Sequence, residues 1–456
     1  MAIAPSLAVL SFLFLSSITG AAAATTSGSF SILSYNVAGL PSVLSSSDPV
    51  TNTPQISPRL KPYNVIHVQE DFNSHAALYA SDTHQFRTPT SGGVPLGSGL
   101  NTLSDFPFLD FERVTWDDCN LNNGDCLTPK GFTFMRMNVS DGVWVDFVNL
   151  HTDAGSDDGD RTARQSNLAQ VRDYINTWSV GMPVVVMGDT NSRYTSPVDS
   201  DSLHDLLSTQ SLTDSWVRNT RGGSFPTEGT DALTCPFPFP AGTSQATQVA
   251  CETVDKQLVR GSTAVQLVPT SFSNENDAFL DTQGQPLSDH YPVKSVLSWT
   301  LSSSVRLDVP TGGPHGDPYN DLPTVFRSGS VLAITSITLR AADRVDGVSF
   351  TLSDGTVVTH GGSGGDAQTM SMNGNEYIVQ ITACQGQKDG DTRVFFFSFL
   401  TNQGRTLTGG VNTGDCQVTK TPTDAAAGGK AWGLVGFWGR NGDEMDRAGA
   451  IWGAAY

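Results

Sequence analysis

Positive charge is scarce in this chain. Its 26 lysines and arginines stand against 45 aspartates and glutamates, a formal net charge of −19. A protein this acidic is not drawn onto polyanions by its overall field, which excludes avid, sequence-independent nucleic-acid binding. Phosphate chemistry stays open, because a bound metal ion can supply positive charge locally. Long apolar runs are also few. Leu7 to Leu15 is too short to span ~30 Å of hydrocarbon, and it is followed by the small residues Ala21 to Ala24. That pattern reads as a secretory signal peptide cleaved near Ala23, although the usual positive n-region is missing. No other stretch is apolar enough for a membrane helix, so an exported, soluble, extracellular mature protein is expected. Cysteine is sparse, with six in the chain. No C-x-x-C or accompanying histidine cluster points to zinc. In an exported chain the six should pair, and of the ~15 pairings available the nearest-neighbour scheme keeps each bond inside one domain: Cys119–Cys126, Cys235–Cys251 and Cys384–Cys416. Asn138-Val139-Ser140 is a glycosylation sequon.

What the chain has in quantity is length and turns. Its 456 residues exceed a single core, so two domains are expected. With 45 glycines and 24 prolines, short β structure is favoured. The text changes near residue 300. Before it, Ser31–Tyr35, Val65–Val68, Phe132–Met135, Val143–Val148 and Val184–Met187 read as strands, and Arg161–Trp178 carries apolar residues at helical spacing. Mixed strands and helices point to an α/β sandwich with reactive groups at strand ends. Leu301-Ser-Ser-Ser304 reads as a linker. From Gly312 onward glycines separate short β-prone runs with almost no helical pattern, which suggests an all-β module.

Five patches in the first 300 residues follow apolar runs and carry groups suited to metal-assisted phosphoryl chemistry. Asn36 and Glu70, at two strand ends, offer oxygen ligands to a hard ion such as Mg²⁺. His151, at the end of a third, can donate a hydrogen bond or proton to phosphate. The strand Val184–Met187 delivers Gly188-Asp189-Thr190-Asn191, with Asp189 placed as a base for water and Asn191 for a phosphoryl oxygen or metal. The fifth, Ser288-Asp289-His290-Tyr291-Pro292, reads as a strand pairing a carboxylate with an imidazole. Each is weak alone. Their order and company carry the signal.

This ordered set resembles the endonuclease/exonuclease/phosphatase superfamily, the deoxyribonuclease-I-like enzymes, over residues 30–298. The resemblance implies a four-layered α/β sandwich around a divalent cation, with Asn36 and Glu70 binding metal. It implies His151 against the scissile phosphate, Asp189 orienting water beside Asn191, and His290 as general acid/base partnered by Asp289. Within the superfamily, the Asp125-x4-Lys130-Gly131 element, Asn149-Leu-His-Thr-Asp153 before an Arg-led helix, and Glu252-Thr-Val-Asp255 resemble secreted neutral sphingomyelinases. Lys130 would then pair with the substrate phosphate. Two departures keep an extracellular DNA- or RNA-cleaving nuclease as the alternative. The stretch Thr270–Phe279 is polar and acidic where the family's toxins carry an aromatic hairpin, and Asp255-Lys256 replaces an Asp-aromatic pair. A phospholipid substrate would bring contact with a membrane surface.

Gly312-Gly313, Val345–Phe350, His360–Gly365 and Gly442-Asp443-Glu444-Met445-Asp446 resemble jacalin-like lectins of the mannose-binding type. That implies a β-prism of three four-stranded sheets. Mannose-type or related glycans would sit at Gly313, with Asp446 accepting from sugar hydroxyls and the amides of Asp443 and Glu444 donating. Ala342–Asp346 lacks the glycine of a second such loop. The expected organisation is a signal peptide (1–23), a catalytic domain (24–300), a linker (301–311) and a lectin domain (312–456). The different-class alternative is a carbohydrate-recognition protein whose hydrolase domain is inactive.

Overall fold

The computed structural model describes residues 25–41 and 47–456. The expected signal peptide lies outside the described residues. Among the described residues the first domain contains twelve strands: β1 (Ser27–Asn36), β2 (Val65–Gln69), β3 (Phe86–Arg87), β4 (Asn101–Ser104), β5 (Phe108–Thr115), β6 (Gly131–Ser140), β7 (Val143–His151), β8 (Val184–Asp189), β9 (Thr213–Asp214), β10 (Asp255–Arg260), β11 (Val265–Asn274) and β12 (Val293–Leu301). They form two six-stranded sheets, ordered β11-β12-β1-β2-β4-β3 and β5-β6-β7-β8-β10-β9. The five runs read as strands from sequence all fall inside these elements.

Side-chain alternation along the strands builds the layers. Ile32 of β1 and Val65 of β2 point inward, against Val145 and Phe147 of β7 and Val185 and Met187 of β8. Val148 and Leu150 of β7 and Val186 of β8 point the other way. There they meet Leu168, Val171 and Ile175 of α3 (Asp158–Trp178) and Leu203 and Leu206 of α4 (Pro197–Gln210). On the far side Leu33, Tyr35, Ile66 and Val68 meet Ile56 of α1 (Pro49–Ile56) and Leu78 of α2 (His75–Ala80). The result is helix, sheet, sheet, helix: the expected four-layered sandwich. Each fully buried aliphatic or aromatic side chain in these layers stabilises the fold by ~1.5–3 kcal/mol. α3 starts at a capping box formed by Asp157 and Asp160. It is tied to α4 by Arg164, which donates to Asp199 at 3.0 and 3.1 Å.

The second domain has three sheets. The first runs β13 (Val305–Leu307), β27 (Met445–Ala454), β26 (Trp432–Asn441), β15 (Asp317–Asn320), with β14 (Thr311–Gly312) also on β27. The second holds β18 to β21 (Ile334–Ala341, Val345–Leu352, Val357–Gly361, Asp366–Ser371), and the third β22 to β25 (Ile378–Lys388, Asp391–Thr401, Thr406–Gly410, Cys416–Lys420); β16 (Phe326–Arg327) and β17 (Ser330–Val331) form a small hairpin. Three such sheets make the expected β-prism. The segment 301–311 is not a free linker. It supplies β13 and the start of β14, hydrogen-bonded to β27, because the chain closes the first sheet of the prism as it enters. All three nearest-neighbour disulfides are present.

The domains share a core. Trp144 packs on Trp438 with centroids 5.2 Å apart, and Arg440 lies over Trp178 at 4.6 Å. Asp110 accepts from Arg440 at 3.1 Å and from Arg447 at 2.7 Å. No helix among the described residues is long and apolar enough to cross a membrane.

Candidate active site

Strand pairing brings distant residues to one edge of the sandwich. β1 and β2 are parallel, so Asn36 ends beside Gln69 with Glu70 next. β7 and β8 are parallel, with His151 opposite Asp189. β10 is antiparallel to β8, which sets its first residue, Asp255, opposite Asp189 as well. β12 is antiparallel to β1, with Val293 opposite Ser34, so the residues just before β12 arrive at the same edge. Ser288–Pro292 is therefore a bend leading into β12 and not a strand. Ser288 pins it by donating to the Asn36 carbonyl at 2.6 Å. Two glycines admit the close approach of neighbouring backbone. A Cβ at Gly188 would lie 2.1 Å from the Leu150 carbonyl, and one at Gly131 would lie 1.9 Å from that of Val114. Glu70 (φ 57°) and Asn191 (φ 45°) sit in the left-handed region, a conformation stored where function constrains the chain.

Asp189 is the hub. Its Oδ2 accepts from Asn36 Nδ2 at 3.1 Å and lies 3.5 Å from His151 Nε2 and 3.6 Å from His290 Nε2. Its Oδ1 accepts from the Asn191 amide at 2.9 Å, and Asn191 Nδ2 donates to Thr152 O at 3.3 Å. Asn36 Nδ2 also donates to Glu70 Oε1 at 3.0 Å, while its Oδ1 accepts from the Ala38 amide. Lys130 Nζ stands 3.2 Å from His151 Nε2 and donates to Asp125. All residues assigned from sequence to the hydrolase site are thus brought to one edge, save one partnership. The carboxylate on His290 is Asp255, whose Oδ2 lies 3.0 Å from Nδ1. Asp289 Oδ1 lies 3.5 Å from Ser288 Oγ instead. The β8–β10 register sets Asp255 opposite Asp189, where the ring arrives from the bend before β12. In the sequence Asp255 stands out only as a family-pattern residue; the β8–β10 register that makes it the partner carries no local signal.

Burial and charge split the two histidines. Burial pushes His151 down to about 3, and the Lys130 charge adds to this, so it is neutral. Burial also acts against charge on His290. The carboxylates of Asp255 and Asp189 outweigh it and hold His290 well above its ordinary value, protonated. Burial pushes Asp189 up, but the His290 charge, with hydrogen bonds from the Asn191 amide and Asn36, outweighs it and brings it down to about 2. Burial raises Glu70 and Asp255, only partly offset by Asn36 and His290 respectively. A cleft of about 360 Å³ opens beside His290, walled by Asn191, Arg193, Phe237 and Tyr291.

The donor set suits a hard divalent cation. Four carboxylates, Glu70, Asp189, Asp255 and Asp289, gather round one protonated histidine and Lys130, an excess of negative charge that such an ion offsets. One donor atom each from Asp189, Asp255 and His290 also lies within 4.8 Å of the others. Glu70 and Asn36, the pair expected from sequence to hold such an ion, lie 3.0 Å apart on the same edge.

In the lectin domain the sugar residues expected from sequence converge too. The Gly313 amide donates to Asp446 O at 2.8 Å. Their carboxylates, however, are engaged. Asp446 is buried against Arg393 at 2.9 Å, and Glu444 pairs with Arg344, with Lys388 at 3.3 Å and with Arg393 at 3.3 Å. Asp443 lies at the loop tip, its carbonyl packed against Gly362.

Residues 48–219 match the model of the Endonuclease/Exonuclease/phosphatase family 2, and residues 309–451 match that of the Jacalin-like lectin domain. A sphingomyelinase of Mycobacterium tuberculosis (strain ATCC 25618 / H37Rv) is 40% identical over 277 residues, 59% of this chain and 52% of that protein. The chain thus spans about half the length of the curated sphingomyelinases it matches. Horcolin of Hordeum vulgare is 28% identical over 155 residues, 33% of this chain and 97% of horcolin. Among solved structures, sphingomyelinase C from Streptomyces griseocarneus aligns at 18% identity and TM-score 0.41, covering 59% of this chain and 99% of that one. A mannose-binding jacalin-related lectin from Ananas comosus aligns at 24% identity and TM-score 0.26, covering 32% and 98%. The chain joins an endonuclease/exonuclease/phosphatase domain, homologous to sphingomyelinases, to a C-terminal jacalin-like lectin domain.

Proposed function

We propose that the chain is a secreted, Mg²⁺-dependent phosphodiesterase that hydrolyses a phospholipid of the sphingomyelin type and is directed to glycosylated surfaces by its lectin domain. The observation that carries the hydrolase reading is the His290–Asp255 pair at 3.0 Å, with His290 Nε2 facing Asp189 at 3.6 Å. It sets a protonated acid and an ionised carboxylate side by side in one cleft.

Glu70 and Asn36 would hold the cation, which when bound polarises the phosphoryl oxygens. Lys130 and neutral His151 bind the non-bridging oxygens, Lys130 by charge and His151 by a ring N–H. Asp189 orients the attacking water. Its low proton affinity means that it takes the water proton only as the oxygen–phosphorus bond forms. Asn191 lies beside it and steadies the phosphoryl group. His290 gives its Nε2 proton to the leaving oxygen while Asp255 keeps the ring aligned through Nδ1.

Export is supported by the signal-like N-terminus and by three disulfides, which persist in oxidising compartments. Tethering by the lectin would raise the enzyme's local concentration without altering its chemistry. The test is a panel of sphingomyelin vesicles, plasmid DNA and RNA with Mg²⁺. Release of phosphocholine, lost in His290→Ala, is expected; nicked DNA with intact lipid would favour the nuclease reading. Absence of hydrolysis with every divalent ion would leave a carbohydrate-recognition protein.

A further inference from the structure

Among the described residues, the highly exposed leucines are Leu96 at 83%, Leu121 at 85% and Leu127 at 67% exposure. All three belong to the segments around Lys130. Leu96 and Leu127 line one cleft of about 380 Å³ together with Pro95, Trp116 and Lys130. Leu121 stands in the loop closed by Cys119–Cys126, whose two cysteines line the same cleft. The cleft leads to the reaction centre. Lys130 Nζ is 3.2 Å from His151 Nε2, and Trp116 Nε1 donates to the His151 carbonyl at 2.8 Å.

Scattered exposed apolar residues are ordinary, but a group on the lip of a polar catalytic cleft needs an occupant. Here the leucines are held outward. Beyond the disulfide, the Asn120 amide donates to Asp153 at 2.7 Å and its side chain to Asp160 at 2.7 Å, which fixes the loop on the catalytic domain. The charge around the rim narrows the choice of occupant. Asp117, Asp118, Asp157 and Asp158 are all exposed beside it. Such a border repels nucleic-acid backbones and anionic lipid, and tolerates a zwitterionic surface. The stretch Thr270–Phe279 adds no exposed large apolar residue, and its Phe279 is buried.

We infer that Leu96, Leu121 and Leu127 form the face by which the enzyme docks on a zwitterionic phospholipid surface, with Lys130 drawing the phosphate inward from that face. The inference rests on the phosphodiesterase reading and adds the physical form of the substrate, an amphipathic phosphodiester presented at an interface. Leucines inserted at such an interface contribute by burying apolar area, while the polar reaction centre stays behind them.

The test uses the full chain and its Leu96→Ser/Leu121→Ser/Leu127→Ser variant, with circular dichroism to confirm that both are folded. Three readouts are taken: co-sedimentation with phosphatidylcholine–sphingomyelin vesicles, phosphocholine release from them, and hydrolysis of dissolved bis(p-nitrophenyl) phosphate. The variant should lose roughly tenfold or more in vesicle binding and in phosphocholine release, with dissolved substrate cleaved at the wild-type rate. Wild-type binding should weaken when phosphatidylserine is added. Equal vesicle binding by both proteins would overturn the inference. So would wild-type protein that nicks DNA and ignores zwitterionic vesicles. If neither protein cleaves anything but only the wild type binds vesicles, the docking face stands and the hydrolase reading fails.

Discussion

The two domains treat carboxylates in opposite ways. At the sandwich edge, Glu70, Asp189, Asp255 and Asp289 gather with too little positive charge to balance them, a surplus that the proposed divalent cation would offset. At the lectin loop, Glu444 and Asp446 are matched internally by Arg344, Lys388 and Arg393. The same residue type is left unbalanced where it must act on a ligand and closed off where it holds the loop together. A catalytic site keeps its electrostatic imbalance. Under the proposed glycan binding, a loop that satisfies its own charges would bind by shape and backbone amides unless an ion pair opens.

The contrast can be broken at several points. The largest effect should come from His290→Ala, which removes the proton donor and lowers kcat by roughly 10³-fold, measured with bis(p-nitrophenyl) phosphate. Chelation by EDTA should be of similar size and reversed by Mg²⁺. An unchanged rate in EDTA would mean that the surplus of carboxylates has another purpose. Next is the partner of His290. Asp255→Asn should cost roughly 10²-fold, and should also move the alkaline limb of the rate profile to lower pH, because the charge that keeps His290 protonated is gone. Asp289→Asn should cost distinctly less, and a reversed order would return the partnership to the sequence neighbour.

In the lectin domain, Arg393→Ala leaves Asp446 buried without its cation. It should lower thermal stability by ~1–3 kcal/mol and strengthen retention on immobilised mannan, because the carboxylate becomes available to sugar hydroxyls. The smallest effect concerns His84, buried between Asp82 and the Tyr63 carbonyl. Burial opposes its charge, but those two partners outweigh it and raise its pKa. A raised histidine contributes stability below its unfolded pKa of about 6.5 and loses it as pH rises through the folded value. His84→Gln should therefore be destabilised by ~1 kcal/mol at pH 6 and approach the wild type in alkaline urea titrations.

Much of this was legible in the sequence. Runs such as Val143–Leu150 and Val184–Met187 are apolar because both faces of those strands are covered, and their ends carry His151 and Asp189. The spacing in Arg161–Trp178 marks the face that α3 buries. What was not legible depends on register. Asp255 meets His290 because β10 runs antiparallel to β8, a relation between segments far apart in the chain. The bend at Ser288–Pro292 resembles a strand because it abuts one, yet it turns on a hydrogen bond to Asn36 O. The segment 301–311 is polar enough to suggest a linker, but its strands are fixed by partners in the last ten residues of the prism. The ion pairs over Glu444 and Asp446 join three separate hairpins, and no local pattern announces them.

The most direct measurement is phosphocholine release from sphingomyelin–phosphatidylcholine vesicles by the purified full chain, titrated with Mg²⁺ and repeated with His290→Ala. Release that rises with Mg²⁺, vanishes in EDTA and is lost in the variant is expected. Intact sphingomyelin at saturating Mg²⁺, alongside cleaved nucleic acid, would contradict the phospholipid reading, and release unaffected by EDTA would contradict the cation's part in it.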